Sequence, residues 1–90
     1  MAGRRKPLRD VVEEPGFVAG RQALFADVKR WDEFWRGAEW GLAKDPAGFD
    51  RVHDDLWVIL CEPAEGSMPR LRVYYSFDDD RIYLKWVERA

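Results

Sequence analysis

Basic and aromatic side chains alternate along two neighbouring stretches near the end of the sequence, residues 70–77 and 82–87. Successive side chains of a β-strand point to opposite faces of the sheet, so every second residue shares a face. One face of the hairpin that these stretches predict would carry Arg70, Arg72, Tyr74, Tyr83 and Lys85. Arginine and lysine hold phosphate groups, and tyrosine rings stack on unpaired bases. Fixed cations also stabilise charge that develops in a transition state. The pattern therefore fits an RNA-binding surface, although a solvated face of an antiparallel sheet carries the same residue types.

The opposite face of the same hairpin is apolar and predicts a core. An acidic turn, residues 78–80, joins the two stretches, and aspartates stabilise tight turns through local side-chain hydrogen bonds. The side chains expected to face the core are Leu71, Val73, Tyr75, Phe77, Ile82, Leu84 and Trp86.

The composition indicates one small domain with an aromatic core. The 90 residues include five Trp and five Phe, 47% are hydrophobic, and the net charge is −2. Residues 1–8 are basic and interrupted by a proline, so we expect a flexible N-terminal tail before a single domain at residues 9–90. A strong non-specific nucleic-acid binder normally has more basic than acidic residues, whereas this chain has 15 basic and 17 acidic residues.

The residues that ligate metals or act as nucleophiles are few. The single cysteine, Cys61, excludes an intramolecular disulfide and lies in an apolar run, so we expect it in the core. His53 stands beside two aspartates, either as a solvated loop residue or as an acid or base on the rim of a site. This sparse set predicts no metal site and no cofactor. No membrane span or signal-peptide pattern is visible, so we expect a cytoplasmic protein.

Periodicity and turn signals predict the order of the elements. They place a strand at residues 9–13, helices at 15–25 and 28–44, a loop at 46–55, a strand at 56–62, a turn at 63–69, and then the hairpin. The fold class is α+β, in the order β-α-α-β-β-β, with a twisted, mostly antiparallel sheet and both helices packed on one face.

The second helix is the clearest local prediction, with Asp27 as its N-cap and Asp45-Pro46 after its end. Its apolar stripe comprises Trp31, Phe34, Trp35, Ala38 and Leu42. Trp40 lies away from this stripe, so it either packs beneath a loop or is an exposed interface anchor.

The element order and several short motifs resemble the RelE/ParE family, the toxin components of bacterial type II toxin–antitoxin systems. These motifs are the helix end Ala43-Lys44-Asp45-Pro46, the strand Leu71-Arg72-Val73-Tyr74-Tyr75, and Ile82-Tyr83-Leu84 after the acidic turn. The resemblance spans roughly residues 9–88.

In the RelE branch, the resemblance implies a metal-free endoribonuclease that cleaves ribosome-bound mRNA to a cyclic phosphate. An arginine at the position of Arg72 contacts the phosphate, so Arg72, Lys85 and Arg89 become candidate catalytic residues. Arg70, Tyr74 and Tyr83 become candidate RNA-binding residues. Members of the family carry an arginine and a tyrosine as a pair on the strand before the acidic turn. Tyr75 matches that tyrosine, but its parity places it on the core face.

Two alternatives follow from the same resemblance. The ParE branch inhibits DNA gyrase by binding and needs no nuclease residues, and a RelE-fold chain can also persist as a non-toxic protein-binding module. All three interpretations imply a cognate antitoxin that lies across hydrophobic grooves of the domain. Trp40 and Trp57 are the candidate antitoxin contacts.

Overall fold

The computed structural model describes residues 9–24, 28–61 and 70–90, and for residues 28–30, 33 and 34 it describes the backbone alone. The elements are β1 (Asp10–Glu13), α1 (Pro15–Leu24), α2 (Val28–Lys44), a 3-10 turn (Pro46–Gly48), β2 (Asp50–His53), β3 (Leu56–Cys61), β4 (Leu71–Phe77) and β5 (Arg81–Arg89). The predicted α+β class is confirmed. The predicted N-terminal tail, the Asp27 cap and the turn at residues 63–69 lie outside the described residues.

The strands form one five-stranded sheet in the order β1-β5-β4-β3-β2. Strands β2 to β5 pair in succession as antiparallel neighbours, whereas β1 lies parallel to β5. Parallel neighbours need a long crossover connection. Here the chain between β1 and β5 includes both helices, as the sequence predicted.

The short strand β2 differs from the prediction, because residues 46–55 were expected to form a loop. Three of its four residues pair with β3, with an irregularity at Val52, and all four are exposed, so they show no alternation between buried and exposed positions. An edge strand held by backbone hydrogen bonds alone leaves little periodic signal in the sequence. The sheet therefore has one strand more than the motif order predicted.

The helices cover one face of the sheet, which we call the covered face. Its buried side chains from β4 and β5 pack with Phe17 of α1 and with Trp31 and Trp35 of α2. The two tryptophan rings stack with their centroids 5.4 Å apart. The core residues of β4 and β5 are Leu71, Val73, Tyr75, Ile82, Leu84 and Val87, and β3 adds Ile59 and Cys61. The predicted apolar stripe of α2 is confirmed at Trp31, Trp35, Ala38 and Leu42, while the side chain of Phe34 lies outside the described set.

The prediction that Trp86 faces the core is wrong. Tyr75 lies opposite Leu84, but the preceding residue, Tyr74, lies opposite Trp86, so Lys85 is an extra residue in β5. A β-bulge of this kind changes which face the later residues occupy. Val87 consequently takes the core position and is 2% exposed, whereas Trp86 is 50% exposed.

Two glycines of α1 allow the helix to lie close to this part of β5. A Cβ atom on Gly16 would come within 3.1 Å of the Lys85 carbonyl oxygen, and one on Gly20 within 3.0 Å of the Val87 carbonyl oxygen. The backbone N–H of Glu14 also donates to the carbonyl of Leu84 at 3.0 Å. These contacts hold the start of α1 against the bulged segment of β5.

The buried polar groups of the covered face include the hydroxyl of Tyr75 and the thiol of Cys61. The hydroxyl of Tyr75, fully buried, donates to the carbonyl oxygen of Pro46 at 2.6 Å and so connects β4 to the end of α2. Burial raises the pKa of Tyr75, with the carboxylates of Asp45 and Asp50 adding to the effect. Cys61 is buried as predicted, and burial raises the pKa of its thiol to about 12.

Candidate functional site

The second face of the sheet carries the basic and aromatic side chains, and we call it the open face. Cross-strand pairs place Arg72 opposite both Leu60 and Glu88, and Tyr74 opposite both Val58 and Trp86. Directly opposed residues share a face, so these six side chains form two adjacent rows across β3, β4 and β5. Leu60 and Trp86 are each about half exposed, at 48% and 50%.

Three donors on the open face converge on the carboxylate of Glu88. The Trp86 indole Nε1 donates to Oε1 at 3.3 Å, and the Tyr74 hydroxyl donates to Oε2 at 3.2 Å. The Arg72 guanidinium Nη1 lies 3.6 Å from the same Oε2. We call Arg72, Tyr74, Trp86 and Glu88 the Glu88 cluster. The β5 bulge is essential to it, because the bulge places Trp86 in register with Tyr74.

The surroundings of Tyr74 raise the pKa of its hydroxyl and so favour the form that donates a hydrogen bond. Desolvation raises the pKa of Tyr74, the hydrogen bond to Glu88 raises it further, and the nearby Arg72 lowers it. The side chains of Arg72 and Glu88 remain 47% and 41% exposed. Exposed ion pairs contribute only about 0–1 kcal/mol, so a ligand can rearrange this pair at small cost.

Lys85 and Tyr83 lie on the same face but have other partners. The Lys85 ammonium pairs with the Glu14 carboxylate at 3.0 Å and lies 6.0 Å from the centroid of the Tyr83 ring. The Tyr83 hydroxyl donates to Oδ2 of Asp78 at 3.1 Å. Two of the three candidate catalytic cations, Arg72 and Lys85, therefore each have an acidic partner of their own.

The two arginines that flank the paired strands occupy different positions. Arg70 is exposed and immediately precedes β4, and its carbonyl accepts a hydrogen bond from the N–H of Ala90 at 2.9 Å. Arg89 lies opposite Leu71, whose side chain points into the core, so alternation gives Arg89 the covered-face orientation. The structure does not bring Arg89 onto the face that carries Arg72.

The two tryptophans predicted to contact an antitoxin lie in different environments. Trp40 of α2 is 56% exposed, and the Lys44 ammonium lies 4.7 Å from its ring centroid. Of the two interpretations of Trp40, the structure therefore favours exposure. Trp57 is partly buried on the covered face, where its ring packs 5.3 Å from that of Phe77.

The acidic turn forms the local hydrogen bonds that the sequence predicted. Oδ1 of Asp78 accepts from the backbone N–H groups of Asp80 at 2.8 Å and of Arg81 at 2.7 Å. These two bonds are the main reason that the pKa of Asp78 lies below its ordinary value, and the Tyr83 hydroxyl adds to the effect. Asp78 is thus a turn-stabilising residue.

His53 lies far from the Glu88 cluster in the sheet. It is exposed at the end of β2, the edge strand, and β3 separates β2 from β4. Within the described residues, no three or more His, Cys, Asp or Glu side chains are grouped so as to hold a metal ion. In the same part of the chain, neither helix is long and apolar enough to cross a membrane.

Sequence reasoning missed Trp86 and Glu88 as members of the site. Strict alternation from Ile82 assigns both residues to the covered face, because it cannot detect an extra residue in the strand. The available signal was Val87, a β-branched apolar residue directly after Trp86, from which the alternation can restart. Two adjacent apolar residues near a strand end are compatible with a bulge that separates the alternation of Ile82 and Leu84 from the alternation that restarts at Val87.

Comparison with known proteins gives no family for this chain. No protein-family model, curated protein or solved structure matches it significantly. Function must therefore be argued from the site. The Glu88 cluster offers a guanidinium, a phenolic hydroxyl and an indole N–H to one oxyanion, next to half-exposed aromatic and aliphatic side chains.

Proposed function

We propose that this chain is the toxin component of a type II toxin–antitoxin system of the RelE type, and that it acts on RNA through the open face. The observation that carries this proposal is the convergence of three donors on one oxyanion beside an exposed aromatic ring. Phosphate oxygens accept from the same donors, and unpaired bases stack on aromatic side chains. The family resemblance of the sequence supports the choice of RNA.

The proposed reaction is the transesterification that produces a cyclic phosphate. The ribose 2′-oxygen attacks the adjacent phosphorus and loses its proton, while the bond from phosphorus to the 5′-oxygen breaks and that oxygen gains a proton. Negative charge on the phosphoryl oxygens grows along this path, and preorganised donors stabilise it. Arg72 has this role because its planar guanidinium can donate to two phosphate oxygens at once. Tyr74 donates a further hydrogen bond, and Trp86 supports a neighbouring base.

A cognate antitoxin belongs to the same proposal, because an active toxin must be neutralised in its host. Trp40 suits such a contact, since it is a large apolar side chain left 56% exposed on α2. Exposed tryptophans are frequent anchors of protein interfaces. Trp57 offers less surface, because it packs with Phe77 against the core.

A second candidate function is inhibition of DNA gyrase or another protein by binding alone. Two observations favour it: Leu60 and Trp86 both present exposed apolar surface on the open face, and both Arg72 and Lys85 are paired with carboxylates. Large exposed apolar side chains beside polar groups are typical of protein interfaces. In this alternative, Leu60 and Trp86 provide the contact and Arg72 contributes little.

Induced expression in bacteria separates the two candidates. We expect the wild-type chain to stop growth and to produce cleaved mRNA, and Arg72→Ala to abolish both effects. Arg51→Ala is the matched control, because Arg51 is an exposed arginine of the same sheet, on β2, that also has a carboxylate partner, Asp54, at 3.9 Å. This variant should remain as inhibitory as the wild type.

Other outcomes decide against RNA cleavage. If Arg72→Ala still stops growth while Leu60→Ser does not, and mRNA stays intact, the binding inhibitor is the better description. If neither the wild type nor any variant affects growth when soluble and folded, the toxin proposal is contradicted in that host.

A further inference from the structure

The carboxylate of Glu88 occupies a site that is built for an anion. Its two oxygens take up the indole N–H of Trp86, the hydroxyl of Tyr74 and the guanidinium of Arg72. All four side chains come from two adjacent strands, so their spacing is set by the β4–β5 register. A site with this donor set recognises an oxyanion, and an internal carboxylate satisfies it in the free chain.

We propose that Arg72, Tyr74 and Trp86 form a phosphate-binding site that Glu88 occupies in the free chain and leaves when single-stranded RNA binds. This inference rests on the proposed function, because RNA is the source of the phosphate. Glu88 then acts as an internal competitor of the substrate. The observed affinity for RNA is lowered in proportion to the fraction of chains in which the site is closed.

The geometry makes Glu88 displaceable. Its side chain is 41% exposed, and its closest approach to the guanidinium is 3.6 Å, which is longer than a strong charge-assisted hydrogen bond. Glu88 lies one residue before the end of β5, where solvent can receive a rotated carboxylate. A phosphate, by contrast, can engage the guanidinium through two parallel hydrogen bonds of better geometry.

The surroundings favour a nucleotide phosphate over an acidic side chain of a protein. Trp86 is half exposed beside the donors, and base–aromatic stacking contributes about 1–3 kcal/mol per base. A glutamate from a partner would replace one carboxylate by another and gain no new hydrogen bond. A nucleotide gains both the phosphate contacts and a stacked base.

The test compares two variants that each remove one negative charge near the open face. Glu88→Gln removes the internal competitor, whereas Glu14→Gln, the matched control, removes the partner of Lys85 and leaves the Glu88 cluster intact. The dissociation constant for a short single-stranded RNA is measured by fluorescence anisotropy. We expect Glu88→Gln to tighten binding about tenfold, as for a site closed in about nine chains of ten, and Glu14→Gln to tighten it about twofold or less.

A second measurement locates the bound phosphate. The NMR signal of the Trp86 indole N–H is the one that is missing from the spectrum of Trp86→Phe. Its chemical shift should change when RNA or inorganic phosphate is added to Glu88→Gln. Trp86→Phe in the Glu88→Gln background keeps an aromatic ring but loses the donor, so it should reverse part of the gain. Because affinity is the readout, any role of Glu88 in proton transfer during cleavage does not affect the test.

Several results would overturn the inference. One is equal tightening by Glu88→Gln and Glu14→Gln, which would indicate general electrostatics and no specific site. Another is an unchanged indole signal, or preferential binding of a glutamate-rich peptide over RNA. If Glu88→Gln leaves RNA affinity unchanged while the wild type still cleaves mRNA, the inference fails and the proposed function stands. If no variant binds RNA and the cells' mRNA stays intact, both fail.

Discussion

The two faces of β4 and β5 are made from alternate residues of the same strands and have opposite properties. On the covered face, Leu71, Val73, Tyr75, Ile82 and Leu84 are fully buried. On the open face, Arg72, Tyr74, Trp86 and Glu88 stay partly exposed; Tyr74 and Trp86 donate hydrogen bonds to Glu88, and Arg72 forms an ion pair with it. The difference shows that one residue of alternation separates the buried core from the polar open face, so open-face side chains can change without removing the core.

The bulge at Lys85 divides β5 into two segments with different parity. Before it, Ile82 and Leu84 face the helices, and after it Val87 does so. The extra residue keeps three apolar side chains in the core and still delivers Trp86 to the open face. Bulges often redirect a side chain in this way beside functional sites.

The largest expected effect is on the free energy of unfolding, and it should differ between alanine variants of two apolar residues of β5, Leu84 and Trp86. Leu84→Ala should lower the free energy of unfolding by about 2–5 kcal/mol, because it leaves a cavity in the core. Trp86→Ala should lower it by less than about 1 kcal/mol, because half of the indole is already in water. Urea unfolding followed by circular dichroism gives both values. Equal losses would show that Trp86 is a core residue and would break the distinction between the faces.

A smaller effect concerns how closely the helices approach the sheet. A Cβ atom on Gly37 of α2 meets nothing within 4 Å, so Gly37→Ala should stabilise the protein by about 0.4–1 kcal/mol. Gly20→Ala adds the same methyl group 3.0 Å from the Val87 carbonyl oxygen and 3.1 Å from its Cγ1, so this gain should vanish or reverse. Thermal unfolding of both variants checks the contrast. A similar stabilisation by both would mean that α1 does not contact β5 closely.

The smallest effect is a pH dependence at the turn that joins the two strands. Hydrogen bonds to the carboxylate hold the pKa of Asp78 below its ordinary value of 3.8, so the folded state favours the charged form. The resulting stabilisation is present above that value and is lost as the pH falls through the lower pKa of the folded state. Asp78→Asn should therefore lower the unfolding midpoint at neutral pH, and the difference from wild type should shrink in acid.

Asp79→Asn is the control for this prediction, since Asp79 is the neighbouring exposed aspartate of the same turn. It should change the midpoint little at any pH. A difference between wild type and Asp78→Asn that grows in acid would contradict the assignment of Asp78 as a turn-stabilising carboxylate.

Much of the fold follows from local sequence patterns. The bounds of α2, the parity of β4 and the acidic turn agree with the prediction, because each depends on periodicity or capping within one segment. Strand β2 and the position of Trp86 do not. The first has no apolar alternation, and the second depends on a register between strands that alternation within one strand cannot specify.

The candidate site could be predicted only in part for the same reason. Arg72 and Tyr74 belong to β4 and Tyr83 precedes the bulge, so all three lie on the predicted face. Lys85 is the extra residue of the bulge itself and still lies beside Tyr83. Glu88 and Trp86 follow the bulge, and the convergence on Glu88 requires two strands in their final register. Side-chain pairing across strands depends on the register between the strands, which local sequence patterns do not specify.

The most direct test of the account is Trp86→Ala, measured at once for growth inhibition on induced expression and for its unfolding midpoint in urea. We expect inhibition to be lost while the midpoint stays close to that of the wild type, because Trp86 belongs to the open face and not to the core. Full inhibition by a folded Trp86→Ala chain would contradict the claim that the open face is the functional surface.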